Sequence, residues 1–135
     1  MANAMLVALR ARIATSTGAS GFSNLFGNRV WLDAAPADTA LPLCVYEVVP
    51  SEFVRCMDGT ETQRLRVSFN FYEGGSDLVT APTASDRLRT LIDGVALTAT
   101  GYDRVLCILR QRGTPAFADD IWTTSDVYEL VGQLQ

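Results

Sequence analysis

The stretch Arg64-Leu65-Arg66-Val67-Ser68-Phe69-Asn70-Phe71-Tyr72 alternates polar and apolar side chains without a break. Successive side chains of a strand point to opposite faces, so Leu65, Val67, Phe69 and Phe71 share one face, with the polar groups and Tyr72 on the other. Burying those four side chains contributes on the order of 6–12 kcal/mol before entropy, at roughly 1.5–3 kcal/mol each. A one-residue slip would bury arginines instead, so the register is expected to be firmly fixed.

Upstream of this strand, Leu43 to Val54 is rich in Val and aromatics and predicts a second strand, kinked or bulged near Pro50, because proline has no N–H for a ladder. Met57-Asp58-Gly59-Thr60 lies between the two, and Asp-Gly favours a hairpin turn because glycine accepts positive φ. Antiparallel pairing is the expectation. Nearer the start, Leu6, Leu9 and Ile13, with Ala2 and Met5 beside them, place an apolar stripe on a helix near residues 3–14, turning Arg10 and Arg12 toward solvent or a partner. Thr15 to Asn28 predicts a packed connection anchored by Phe22, Leu25 and Phe26. Arg29 to Leu32 is a short extended piece, and Asp33 to Pro42 a second loop.

Downstream, Gly74 to Ala81 predicts a loop. Pro82 then opens a helix with an apolar stripe of Leu88, Leu91, Ile92 and Val95, and Gly94 marks its end. Arg104 to Gln111 predicts a third strand whose near-continuous apolar run suggests cover on both faces. Gln111 to Asp120 predicts a loop, and Trp122 to Leu134 a fourth strand with Tyr128, Leu130 and Leu134 on one side. The order helix, strand, strand, helix, strand, strand predicts an α+β fold: a mainly antiparallel four-stranded sheet with two helices packed on one face. Residues 1–135 are expected to form a single domain.

Composition narrows the chemistry. At 48% hydrophobic and 19% charged, the 135 residues support a packed core and exclude intrinsic disorder. No apolar run approaches the roughly 18–20 residues of a membrane span, so a soluble protein is expected. There is no histidine, and all eleven basic residues are arginine. A Ser-His-Asp triad, a Cys-His pair, a His-ligated zinc, a Schiff-base lysine and a P-loop lysine are thereby excluded. Carboxylates, thiols and arginine remain.

Charge is unevenly spread. Residues 1–32 carry Arg10, Arg12 and Arg29 with no acid, whereas the rest carries eight arginines against fifteen acids, within a net charge of −4. An acid-free start containing Arg, Ser and Thr is compatible with a transit peptide, but its apolar residues fit a packed helix better. The acidic body argues against sequence-independent nucleic-acid binding, which needs clustered cations. Cys44, Cys56 and Cys107 lack CxxC spacing, and Cys44 and Cys107 sit in apolar runs as small core hydrophobes of a reducing compartment. A reactive thiol is most conceivable at Cys56, beside Arg55.

Asp119-Asp120, and Glu47 with Glu52, are the carboxylate groupings worth testing for acid/base or metal chemistry, and a solvated loop is the better reading of the first. Glu73-Gly74-Gly75 lacks the spacing and the lysine of a phosphate loop and predicts a turn. Trp31, Tyr46, Tyr72, Trp122 and Tyr128 fit core and interface packing better than a ligand-binding face. Arg64 and Arg66 project from one strand face, which suits a subunit interface as well as plain exposure.

The layout resembles the tail-completion, or tail-terminator, family of phage proteins. The resemblance runs through Leu6-Val7-Ala8-Leu9-Arg10-Ala11-Arg12, Gly27-Asn28-Arg29-Val30-Trp31, Leu41-Pro42-Leu43-Cys44-Val45-Tyr46, the hairpin around Asp58-Gly59 and the strand Leu65 to Tyr72. It continues through the helix Ala84 to Gly94 and the closing Trp122 to Tyr128, and the chain departs from it in ending Val131-Gly132-Gln133-Leu134-Gln135 without an aromatic.

The resemblance implies a non-enzymatic homo-oligomeric ring, usually of six copies, that caps the head-proximal end of a long tail tube. A tail tube protein would lie on one side and a neck stopper or adaptor on the other. The same role exists in gene transfer agents, which are phage-like particles, and an alanine-rich, all-arginine chain suits a GC-rich bacterial genome. The expected location is the neck–tail junction of the particle, assembled in the bacterial cytoplasm, with no membrane partner. Six copies would carry about −24 in total, and an acidic lumen lets DNA slide through without specific binding. The resemblance brings no catalytic residue, cofactor or metal. Candidate ring and partner contacts are therefore positional: Arg55, Met57, Asp58 and Glu61 at the hairpin, Arg64 and Arg66 on the strand, and Arg112, Phe117, Asp119 and Asp120 in the later loop. Competing readings are a neck stopper or adaptor of the same particle, a small enzyme using acids or a thiol, and a stand-alone binding module.

Overall fold

The computed structural model describes residues 2–55, 61–75 and 80–135, with side chains described except at 2–3 and 50–55. The elements run α1 (Ala2–Ala14), a 3-10 turn (Ser23–Phe26), β1 (Val30–Leu32), β2 (Leu43–Arg55), β3 (Glu61–Gly74) and α2 (Thr80–Ile92). They continue with β4 (Ala96–Leu97), β5 (Tyr102–Arg112), β6 (Ala116–Ala118) and β7 (Ile121–Leu134).

These strands overturn the expectation of a four-stranded, mainly antiparallel sheet. The described residues form a mixed sheet of seven strands in the order β1-β2-β3-β7-β5-β4, with β6 off that path against β7. The four expected strands are the long ones, β2, β3, β5 and β7, and they pair antiparallel. The additions are two or three residues long, too short for alternation to mark them. The expected extended piece Arg29–Leu32 contains β1, which lies parallel to β2, Val30 opposite Cys44, after the Asp33–Pro42 loop returns the chain. The expected loop Gln111–Asp120 contains β6, which resumes along β7 with Ala116 opposite Thr123.

The expected bulge near Pro50 is present, because the β2–β3 register shifts between Val49 and Glu52. The expected turn at Met57–Thr60, and Cys56, lie outside the described residues. The unbroken alternation of β3 becomes an unbroken register against β7, from Thr62 opposite Gln133 to Gly74 opposite Ile121.

One face of the sheet, the inner face, carries the core. Leu65, Val67, Phe69 and Phe71 on β3 are essentially inaccessible, as are Cys44 on β2, Tyr128 and Leu130 on β7, and Val105 and Cys107 on β5. Phe69 sits at its centre, 5.4 Å from the Tyr46 ring, 5.6 Å from Tyr128 and 6.4 Å from Phe22. Met5, Leu9 and Ile13 of α1 and Ala81, Ala84, Leu88 and Ile92 of α2 close over it. Phe22 and Phe26 join this core and give the 3-10 turn its anchor.

Several polar groups near the core are matched, although among the described residues Tyr128 Oη, Thr124 Oγ1 and Trp122 Nε1 are buried without a hydrogen-bond partner. Glu73 accepts hydrogen bonds from the Thr80 and Ala81 amides, 2.6 and 3.3 Å, capping α2 with a carboxylate where the helix dipole favours negative charge. The Glu73-Gly74-Gly75 segment thus serves the helix start. Arg12, expected to point outward, donates from Nε to the Leu91 carbonyl at 3.0 Å and ties the two helices together. Asp126, 1% exposed, accepts from the Ser85 hydroxyl and from the Gly113 amide. A Cβ at Gly113 would lie 2.0 Å from the Ser125 carbonyl oxygen, so only glycine fits where the chain leaves β5.

Candidate assembly surface

The opposite, outer face is built by the alternate residues of the same strands. Arg64, Arg66, Ser68, Asn70 and Tyr72 of β3 lie across from Val131, Glu129, Val127, Ser125 and Thr123 of β7. On β5, Leu106 and Ile108 face outward, opposite Val131 and Glu129. The continuous apolar run of β5 therefore covers the core on one side only, and its outer residues remain partly exposed, contrary to the expected cover on both faces.

Glu129 is the centre of this face, at 5% exposure. Its Oε1 accepts from Nη2 of Arg110 at 2.8 Å, a charge-assisted hydrogen bond. Arg64 Nη1 stands 4.0 Å from the same oxygen, and Arg66 Nε 3.8 Å from Oε2. A buried carboxylate is tolerated when cations and hydrogen bonds compensate its desolvation, and the two neighbouring strands, β3 and β5, supply those cations here. Among the described side chains the cluster holds three arginines to one carboxylate, within a chain of net −4.

Beside it runs a polar seam. Asn70 Oδ1 accepts from Ser125 Oγ at 2.6 Å and Ser68 Oγ at 3.3 Å, while its Nδ2 donates to exposed Glu47 at 3.2 Å. Glu47 is thereby a hydrogen-bond acceptor on this face, and the Glu52 side chain lies outside the described ones.

The other expected contacts fall into separate places. Arg112 donates to Ser85 Oγ at 2.8 Å and pairs with Asp86 at 2.9 Å, so it joins β5 to α2. Asp119 and Asp120 form a two-residue turn between β6 and β7, with φ of 52° and 61°. Positive φ at both positions is the requirement of a type I′ hairpin turn, and aspartate tolerates it better than most residues. Phe117, 47% exposed, packs its ring 4.9 Å from Trp122 beside this tip. Glu61 opens β3 opposite Arg55, at the other end of the sheet; the Arg55 side chain, and Met57 and Asp58 entirely, lie outside the described residues.

Sequence reasoning thus found Arg64 and Arg66 but missed Glu129 and Arg110, which complete their cluster. The available signal was a lone acid inside the apolar run Val127-Tyr128-Glu129-Leu130-Val131. Of the aromatics, Tyr46 and Tyr128 are core residues, while Trp31 is 38% exposed.

Burial pushes the Cys44 thiol well up and the Cys107 thiol to about 12, with the Asp126 and Asp93 charges respectively adding to the effect. Both are poor nucleophiles in this setting. Among the described residues no three His, Cys, Asp or Glu side chains converge as a metal site, and no helix is long and apolar enough to cross a membrane. A groove of about 550 Å³ between the end of α1 and α2 is lined by Arg12, Phe22, Asp86, Arg87 and Leu91, and Arg87 is tied across it to the Gly21 carbonyl at 3.1 Å. The outer sheet face offers guanidinium donors, a buried carboxylate and partly exposed apolar side chains, which suits it to binding another protein surface.

No protein-family model and no curated protein matches the chain. Among solved structures, its fold recurs in a chain from the virion of a native gene transfer agent particle, with a TM-score of 0.75 and 14% identity over 98% of this chain and 96% of that one. At this identity the likeness is one of fold.

Proposed function

We propose that this chain is a non-enzymatic structural protein of a phage or gene transfer agent particle. In this reading its copies, six by the family resemblance, form a ring that caps the head-proximal end of the tail tube and joins it to the neck. The carrying observation is that the fold matches a gene transfer agent virion chain nearly end to end, leaving neither chain a sizeable unmatched segment. The sequence resemblance to tail-completion proteins points to the same kind of particle independently. Missing histidine and lysine, and two thiols held protonated by burial, agree with a scaffold role.

The test is to purify particles from a producing culture by density gradient and quantify this chain by mass spectrometry against the tail tube protein. A few copies per particle, co-sedimenting with tailed particles and labelled by antibody at the neck–tail junction, is the expected result. Absence from particles would overturn the proposal, and label at the head vertex alone would favour a neck stopper or adaptor.

A further inference from the structure

We infer that the outer face of β3, β7 and β5 receives the β6–β7 hairpin tip of a neighbouring copy, so that Asp119 and Asp120 of one copy pair with the arginines around Glu129 of the next. The inference rests on the ring reading above and assigns its subunit contact.

Three observations lead to it. First, the outer face is composed to be covered. An antiparallel sheet facing water alternates apolar-in with polar-out, yet the outward positions of β5 and β7 include Leu106, Ile108, Val127 and Val131. Val49, opposite Arg66 on β2, is 38% exposed. Apolar side chains grouped around arginine are the composition of an interface centre.

Second, the arginines have capacity left. A guanidinium carries five N–H donors in a planar fork that matches carboxylates. At 4.0 and 3.8 Å from Glu129, Arg64 and Arg66 lie beyond hydrogen-bond length from it and, among the described side chains, keep donors for other acceptors; that of Glu52, opposite Arg64, lies outside them.

Third, the chain itself carries the complementary surface. The hairpin tip presents two adjacent exposed carboxylates next to the half-exposed ring of Phe117, an acid-plus-apolar pairing that answers the arginine-plus-apolar face. The two surfaces cannot meet within one copy. Ile121 and Glu129 stand on the same unbroken strand β7. They are eight residue steps apart along the strand, about 26 Å at roughly 3.3 Å per residue. Contact between different surfaces of identical chains is heterologous, and such contacts generate closed rings when the rotation closes.

The experiment places cysteines at both surfaces, Arg66→Cys with Asp120→Cys, in a Cys56→Ser chain expressed in place of the native one, and oxidises the purified particles. Expected is a reducible ladder of dimers and higher multimers on denaturing gels, absent from either single-cysteine chain. Particles that contain the chain but yield no ladder would overturn this interface and leave the ring reading standing. Particles that lack the native chain would overturn both. A second variant avoids any change at Glu129: D119N/D120N keeps residues that accept positive φ while removing both charges. It is expected to lower incorporation into particles by about tenfold or more with an unchanged melting temperature; incorporation at the native level would count against the inference.

Discussion

Glu129 is buried on a face that water reaches, and three arginines from the two neighbouring strands hold it there. That constellation was half legible in the sequence. Arg64 and Arg66 are two apart on an alternating strand, so their shared face is a local fact, whereas Glu129 and Arg110 meet them only through the β3–β7 and β5–β7 registers. The Asp119-Asp120 pair was legible as a loop but not as a hairpin turn, since its I′ geometry lacks the usual glycine. Replacing Asp120, at φ 61°, with glycine relieves a left-handed conformation that costs other residues roughly 1–2 kcal/mol. The Asp120→Gly protein is expected to match or exceed the native stability in urea titration, and a loss above about 1 kcal/mol would show that the turn is held otherwise. The thiols give a pH test. Unfolded, Cys107 releases its proton near 9.0; folded, it holds it to about 12, so the stability present below pH 9 falls as pH rises through that window. Buried Tyr128, also shifted up, adds to the loss above its ordinary 10.0. The urea midpoint is expected to drop between about pH 8 and about pH 10.5, and a flat profile would contradict burial of these groups. Alkylation at about pH 8 is expected to reach Cys44 and Cys107 only after denaturation.

At the level of elements, β3 organises the sheet, pairing with β2 on one side and β7 on the other while its inner residues centre the core. Phe69→Ala removes a ring packed against Phe22, Tyr46 and Tyr128. It is expected to cost about 3–5 kcal/mol by thermal or chemical unfolding, and a loss under about 1 kcal/mol would contradict the placement of the core. The long strands and both helices were legible because each carries several turns of its own periodicity. β1, β4 and β6 were not, because they exist only through a neighbour: Ala96–Leu97 against Leu106 and Val105, Ala116–Ala118 against the start of β7. The sheet is consequently mixed and wider than the sequence pattern alone predicts. The α2 cap was hidden for a related reason, since Glu73 reaches the Thr80 and Ala81 amides across intervening residues that the periodicity does not register.

For the whole molecule, charge and composition speak most directly. A net charge of −4, with acids concentrated after residue 32, argues against binding phosphate without regard to sequence. Retardation of double-stranded DNA at about 50 mM salt is expected to be absent, and a salt-sensitive shift would argue against an inert lumen. The basic patch around Glu129 is then available to protein carboxylates, as the proposed contact between copies requires. The central claim is that this chain terminates a tail. It is tested most directly by deleting its gene and imaging the resulting particles by electron microscopy. Heads without tails beside free tails of irregular length are the predicted result, and normal infectious particles would contradict it.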